Sequence, residues 1–176
     1  NYRLSLASPE EPLELTSNML SPGFEDNSKG WVCNGFSPQS NDAFELKEGT
    51  YYCEIWSGWG NVADGDIHQI VELPNGNYQL TVLAQNIQES NKAIPQKGAY
   101  VYANNARKEL SLTGKYTLDF VVVDNQAKIG VNTIGCTGNK VSIDDFHIYY
   151  TGFDDDAQFA EFRQMIQEGE AVSYTH

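Results

Sequence analysis

Positive charge is scarce in this chain. Its 176 residues hold 11 Lys and Arg against 24 Asp and Glu, a formal net charge of −13, so a polyanion finds no basic surface and nucleic acid is excluded as a partner. Long apolar runs are also missing: nothing approaches the ~20 residues of a membrane-spanning helix, and no membrane insertion is expected. Three cysteines, Cys33, Cys53 and Cys136, are too few for a disulfide scaffold and lack the paired C-x-x-C spacing of a zinc site. Either Cys33 and Cys53 form a bridge, which requires neighbouring strands, or the thiols stay free and buried, the reading taken here. Catalytic signatures are absent too, with no G-x-S-x-G elbow, P-loop, H-E-x-x-H or G-x-G-x-x-G. Imidazoles are limited to His68, His147 and His176. His68 lies beside Asp64 and Asp66, an acid–base pairing in principle, but it reads as an outward-facing strand residue.

What the chain does hold is turn formers and aromatics. Fifteen Gly, ten Tyr, eight Phe and three Trp against two Met are the palette of a β-protein with many turns. Period-two segments bounded by Gly, Pro, Asn and Asp recur almost throughout. HQIVELPNGNYQLTVLAQ, His68 to Gln85, reads as a β-hairpin about Pro74-Asn75-Gly76. Further strands are expected at Trp31 to Phe36, Ala43 to Lys47, Tyr51 to Trp56, Ala99 to Asn104, Lys108 to Leu112, Tyr116 to Val123, Lys128 to Ile134 and Val141 to Tyr150. The fold class is therefore all-β, two packed antiparallel sheets. Residues 1–13 are acidic and proline-bearing and read as a leader or linker; residues 14–152 form the sandwich. After Gly152 the period changes: Phe159, Phe162, Met165 and Ile166 share a helical face behind Asp154 to Asp156, so residues 153–176 are expected to hold a short helix from Asp155 to about Gln167, with Gly169 as its stop. Its apolar residues are expected to pack on the sandwich or on a following domain. The chain opens at Asn1 without a leader and is read as a segment of a longer precursor.

SNMLSPGFEDNSKGWVCNGF, Ser17 to Phe36, with its Pro-Gly-Phe-Glu followed by Gly-Trp, resembles the opening strand of galactose-binding-domain-like β-sandwiches, including several carbohydrate-binding modules. VSIDDFHIYYTG, Val141 to Gly152, is similar to their closing strand. IHQIVELPNGNYQLTVLAQN and AYVYANN resemble the central hairpin and next strand of such domains in surface and secreted proteins of gut Bacteroidetes. The resemblance runs from about Ser17 to Gly152. It implies a jelly-roll frame, a secreted, periplasmic or outer-surface location, and, in many such modules, a structural calcium joining first and last strands. The matching oxygen ligands here are Glu25 and Asp144 or Asp145. The alternative is that these carboxylates face solvent or accept backbone hydrogen bonds at a strand bulge.

Aromatics decide whether such a sandwich binds sugar, because a sugar's C–H face stacks on an indole while neighbouring Asn, Asp and Gln fix its hydroxyls. Trp56 and Trp59, in EIWSGWGNVADGD, supply that combination, with Tyr51, Tyr100 and Tyr102 as candidate lining residues and the Asn86 to Gly98 loop as a rim. The competing reading makes one Trp core and the other an edge cap. The sequence is thus read as a non-catalytic carbohydrate-binding accessory domain, with a glycan and further domains of a longer chain as partners. A structural or protein-interaction sandwich is the alternative, and a polysaccharide-acting hydrolase comes third.

Overall fold

The computed structural model describes residues 2–175, with side chains described as far as Gly169. Eleven strands, β1 (Leu13–Glu14), β2 (Val32–Asn34), β3 (Ser37–Gln39), β4 (Tyr52–Trp56), β5 (Gly65–Glu72), β6 (Gly76–Ile87), β7 (Ala99–Ala103), β8 (Ala106–Glu109), β9 (Gly114–Val122), β10 (Gln126–Thr133) and β11 (Lys140–Gly152), lie between a short helix α1 (Tyr2–Ser5) and a long one, α2 (Asp155–Thr175). A six-stranded sheet runs β3-β4-β11-β6-β9, with β1 added on β11, and a five-stranded sheet runs β2-β5-β10-β7-β8. Every named strand pair is antiparallel. The expected β-sandwich with a C-terminal helix is what forms. Alternation supplies the core: Ile67 and Val71, Val101 and Ala103, Ile129 and Val131 point inward from one sheet, and Leu80, Val82, Leu118, Phe120, Ile143 and Ile148 from the other. Leu4 and Ala7, ahead of β1, also pack against this core.

The expected hairpin is not one. Its arms, β5 and β6, sit in opposite sheets, and Pro74-Asn75-Gly76 carries the chain over the sandwich edge. The turn fastens to the β9–β10 connection instead of to itself: Leu73 N–H donates to Asn125 O (3.1 Å) and Asn125 N–H to Asn75 Oδ1 (2.8 Å). A side chain at Gly76 would place its Cβ 2.3 Å from the Tyr150 ring, so the crossing demands glycine. Turn residues specify a reversal, and the choice of sheet is made by the strands already flanking β5.

Of the expected strand Trp31 to Phe36 only Val32–Asn34 forms, as β2; Gly35, at φ +88°, follows it, and the next strand, β3, begins at Ser37 in the other sheet. Ala43 to Lys47 forms no strand; Phe44 is an anchor there, its ring 5.6 Å from that of Tyr52, and Lys47 Nζ ties the turn together through Ser40 O and Asn41 O. Cys33 lies in the five-stranded sheet and Cys53 in the six-stranded one, so no bridge forms; all three thiols are free, and Cys33 is exposed, not buried.

Helix α2 starts where expected, with Asp154 Oδ1 accepting the Asp156 amide at 3.0 Å. It runs through Gly169 to Thr175, beyond the expected stop. Phe159 and Phe162 remain 62% and 47% exposed, and the helix is tied to the sandwich by other residues: Gln158 Nε2 donates to Val122 O (2.8 Å) and Asn105 Nδ2 to Glu161 Oε1 (3.0 Å). Among the described residues no helix is long and apolar enough to cross a membrane.

Candidate functional site

Around the middle of the five-stranded sheet the outward positions are polar and aromatic, whereas Ile67, Val71, Val101, Ile129 and Val131 point inward. Asp66 and His68 project from β5, Tyr100 and Tyr102 from β7, and Lys128, Gly130 and Asn132 from β10 between them. Register brings Gly130 opposite both His68 and Tyr102, and Asn132 opposite both Asp66 and Tyr100. Tyr102 thereby spans a whole strand: its hydroxyl donates to Asp66 Oδ1 at 2.8 Å. The path is clear because β10 carries glycine at that point; a Cβ on Gly130 would lie 2.7 Å from the Tyr102 hydroxyl and 2.2 Å from Ile67 O. Asp66 is also bonded to Asn132 Nδ2 (3.2 Å) and His68 Nδ1 (2.6 Å). Burial, reinforced by the Asp66 carboxylate, pushes the Tyr102 phenol far up, so it stays a hydrogen-bond donor.

This network opens onto solvent. Asp66, Tyr100, Tyr102, Asn132, Arg107 and Lys128 line a cavity of 550 Å³, within the range of small-molecule sites. The Tyr100 and Tyr102 rings are 6.0 Å apart, and the Arg107 guanidinium sits 5.0 Å from the Tyr100 centroid. Asn132 Oδ1 is buried and has no hydrogen-bond partner among the protein's own atoms. Beyond Tyr100 and Arg107 a further cavity of 370 Å³ continues to Gly98 and Ile134.

The two tryptophans lie elsewhere, at the end of β4 and in the loop after it. Trp56 projects from the outer side of the six-stranded sheet, 55% exposed, and Trp59 is 94% exposed. Trp56 Nε1 donates to Glu89 Oε1 (2.8 Å), which also accepts from Asn139 Nδ2 (3.0 Å), and Lys140 Nζ lies 5.7 Å from the indole centroid. Beneath it Lys140 pairs with Glu54 at 3.1 Å, both side chains buried. Neither Trp is core. Tyr51 joins neither group: it is half-buried at the other end of β4, against the core. Of the five expected sugar-lining residues, the structure brings together Tyr100 with Tyr102; Trp56 and Trp59 are both exposed, at the end of β4 and in the loop after it. Sequence reasoning passed over Asn132, Arg107 and Lys128 and noted Asp66 as a neighbour of His68. The available signal was Gly130 inside an apolar-alternating strand, which marks close approach by a neighbouring group.

Glu25 and Asp144 grip opposite ends of one turn. Asp144 is wholly buried at the start of a β-bulge; Oδ2 accepts the Glu48 amide and Oδ1 the Asp145 amide, each at 2.8 Å. Glu25 Oε1 accepts the Thr50 amide (2.8 Å) and the Tyr51 amide (3.3 Å). Burial raises the Asp144 carboxyl to about 7, the charges of Asp145 and Glu25 adding to the effect and the two backbone donors opposing it. Asp145, at φ +55°, turns its carboxylate to His147 Nε2 at 2.9 Å, which removes it from that pair. Among the described residues no group of three or more His, Cys, Asp or Glu is arranged to hold a metal, so a cation here needs backbone carbonyls besides Glu25 and Asp144.

Neither a family model nor a curated protein matches the sequence. Solved structures do. TmCBM61, a carbohydrate-binding module solved in complex with β-1,4-galactotriose, is 20% identical with a TM-score of 0.59, over 76% of this chain and 97% of that one. The CBM22-1 xylan-binding domain of Paenibacillus barcinonensis Xyn10C is 12% identical with a TM-score of 0.54, over 77% and 95%. A cyclase from Fischerella sp. TAU is 12% identical with a TM-score of 0.58, over 81% and 99%. Likeness at these identities concerns the backbone alone, and the chain has the β-sandwich fold that carbohydrate-binding modules share with this cyclase.

Proposed function

We propose that this chain is a non-catalytic carbohydrate-binding domain that takes a glycan in the groove over its five-stranded sheet. The observation that carries this reading is the cavity around Tyr102, Asp66 and Asn132, where a preset network of donors and acceptors leaves one buried amide oxygen unused beside an aromatic wall. Sugars present this pairing of hydroxyls with apolar C–H faces. Asp66 is poorly suited to proton transfer, since three donors already occupy its oxygens. The neighbours that are carbohydrate-binding modules of the same fold support the class of ligand. Trp59, almost wholly exposed, is a second candidate contact. A secreted or surface-exposed location accords with such a role.

Calcium belongs to the same proposal. The donor chemistry suits a hard cation: Asp144 is buried without an ion-pair partner among the described residues, and Glu25 retains a second carboxylate oxygen. Glu25 and Asp144 would hold it, and it would supply the counter-charge that the buried carboxylate lacks.

A glycan array that includes β-1,4-galacto-oligosaccharides and xylo-oligosaccharides tests the reading. Binding to at least one glycan is expected, together with its loss in Asn132→Ala and Tyr100→Ala proteins that melt like the parent. No binding to any glycan, or binding indifferent to both substitutions, overturns it. Turnover of a bound oligosaccharide would overturn the non-catalytic part.

A further inference from the structure

Helix α2 lies across one end of the groove, and it does so with the side that hydrophobic packing does not favour. Gln158, Glu161, Met165 and Glu168, spaced i, i+3, i+7 and i+10, form the stripe turned to the sandwich. Phe159, Phe162 and Ile166 are left exposed on the other side. Two side-chain hydrogen bonds therefore set the helix where it is, Gln158 to Val122 O and Asn105 to Glu161. Past these anchors the helix overhangs the sheet. Glu161, Met165 and Glu168 face Ile70, Asn105 and Lys128 across a narrow cavity of 270 Å³. Glu168 then reaches the main cavity of 550 Å³ beside Lys128 and Asn132.

The three cavities form a series. The main one shares Tyr100 and Arg107 with the cavity toward Gly98 and Ile134, and it shares Asn104, Lys128 and Glu168 with the one under the helix. Only the second of these ends beneath a helix. We propose that α2 is the end wall of the groove, so that the domain reads the terminal units of a glycan chain and excludes positions along its interior. This rests on the glycan reading above. A polar wall fits the role, because a chain end carries a hydroxyl where an interior unit carries a glycosidic link, and Glu168 and Lys128 stand where that hydroxyl arrives.

The experiment compares chain lengths on the full chain. Calorimetric titrations use β-1,4-galacto-oligosaccharides and xylo-oligosaccharides of three and six units, against the parent, a Gln158→Ala/Glu161→Ala protein that loses both anchors, and Ala160→Pro, which breaks the helix. The parent is expected to bind three and six units within about twofold of each other, and the released helix to raise the six-unit affinity about fivefold over the three-unit one. A parent that already gains about fivefold from three to six units, or a length ratio unchanged in both variants, overturns the end wall while leaving glycan binding intact. If both variants lose the parent's cooperative unfolding, α2 is core and the proposal fails. Absence of binding at either length by every form overturns the glycan reading itself, and this inference with it.

Discussion

The Tyr102 hydroxyl donates to the Asp66 carboxylate at 2.8 Å across an intervening strand, over a position where a Cβ would collide with both the phenol and a backbone carbonyl. Three strands are thus cross-linked on the outer face by side chains, in addition to the backbone ladders that pair β5, β10 and β7. Fixing Tyr102 in this way leaves its ring, that of Tyr100 and the Asn132 amide in set positions along the cavity, so little ordering cost remains when a ligand arrives.

Gly130→Ala is expected to damage both the sheet and the site. The added methyl group would meet Ile67 O at 2.2 Å, and a backbone atom does not swing aside as a side-chain tip does. A loss of about 1–3 kcal/mol is expected from overpacking, with glycan affinity falling further than in a Tyr102→Phe protein, where only the hydrogen bond to Asp66 goes. Chemical denaturation and titration on the same two proteins read this out. A Gly130→Ala protein as stable as the parent would remove the steric argument.

Fold class was legible because period-two alternation survives in nearly every strand, from Ile67, Gln69 and Val71 to Ile129 and Val131. Sheet assignment was not: Pro74-Asn75-Gly76 looks like a hairpin turn and Gly35 like part of one strand, yet at each the chain passes between sheets. Which strand pairs with which is decided by contacts far apart in sequence, such as Leu73 with Asn125. The site was half legible for the same reason. Tyr100 and Tyr102 are visible as aromatics, but Asp66 and Asn132 become partners only through the β5–β10 register. Glu25 and Asp144 were picked out by resemblance, and the structure shows what each carboxylate already does, accepting amides of the Glu48–Tyr51 turn.

Asp144 is expected to make stability depend on pH and, through the proposed cation site, on calcium. Its folded pKa, about 7, lies above the ordinary carboxylate value of 3.8, so between these values the folded chain holds a proton that the unfolded chain has released. Stability of the metal-free protein is therefore expected to fall as pH rises from about 4 to about 7, by a few kcal/mol from this group. Calcium should abolish that slope and raise the melting temperature at neutral pH by mass action. Melting curves in chelator and in millimolar calcium, for the parent and Asp144→Asn, decide it. Identical curves with and without the metal at pH 7 would sink the calcium site.

His147 gives a second slope. Its Nδ1 lies 2.8 Å from Glu14 Oε2 and its Nε2 2.9 Å from Asp145 Oδ1, so the imidazolium bridges β1 to the bulge of β11. Burial opposes the charge, but the Glu14 hydrogen bond and the Asp145 carboxylate prevail and raise the His147 pKa above 6.5. The stabilisation is fully present below pH 6.5 and is lost as pH rises through the folded value. The His147 hydrogen bond lowers Glu14 from 4.5, so the bridge weakens again in acid. An NMR titration should show the imidazole titrating above its ordinary value and returning toward it in Glu14→Gln. No change in that variant would show that β1 is not held this way.

The three tryptophans separate packing from recognition. Trp31 is buried, its ring centroid 5.2 Å from those of both Phe24 and Phe146, so Trp31→Ala should cost about 3–5 kcal/mol of stability. Trp59, 94% exposed, has no such packing to lose, and Trp59→Ala should stay within about 0.5 kcal/mol of the parent. Trp56 is intermediate. Its removal frees Glu89 from the indole N–H and uncovers Lys140, for about 1–2 kcal/mol together. If the loop contacts a bound chain, Trp59→Ala lowers glycan affinity by about the same factor for three and six units, because the end wall proposed above sets both lengths in one register. Calorimetry of both lengths against both variants measures this. Equal affinities in parent and Trp59→Ala protein at both lengths would take the tryptophan loop out of the site and leave the groove over the five-stranded sheet as the whole of it.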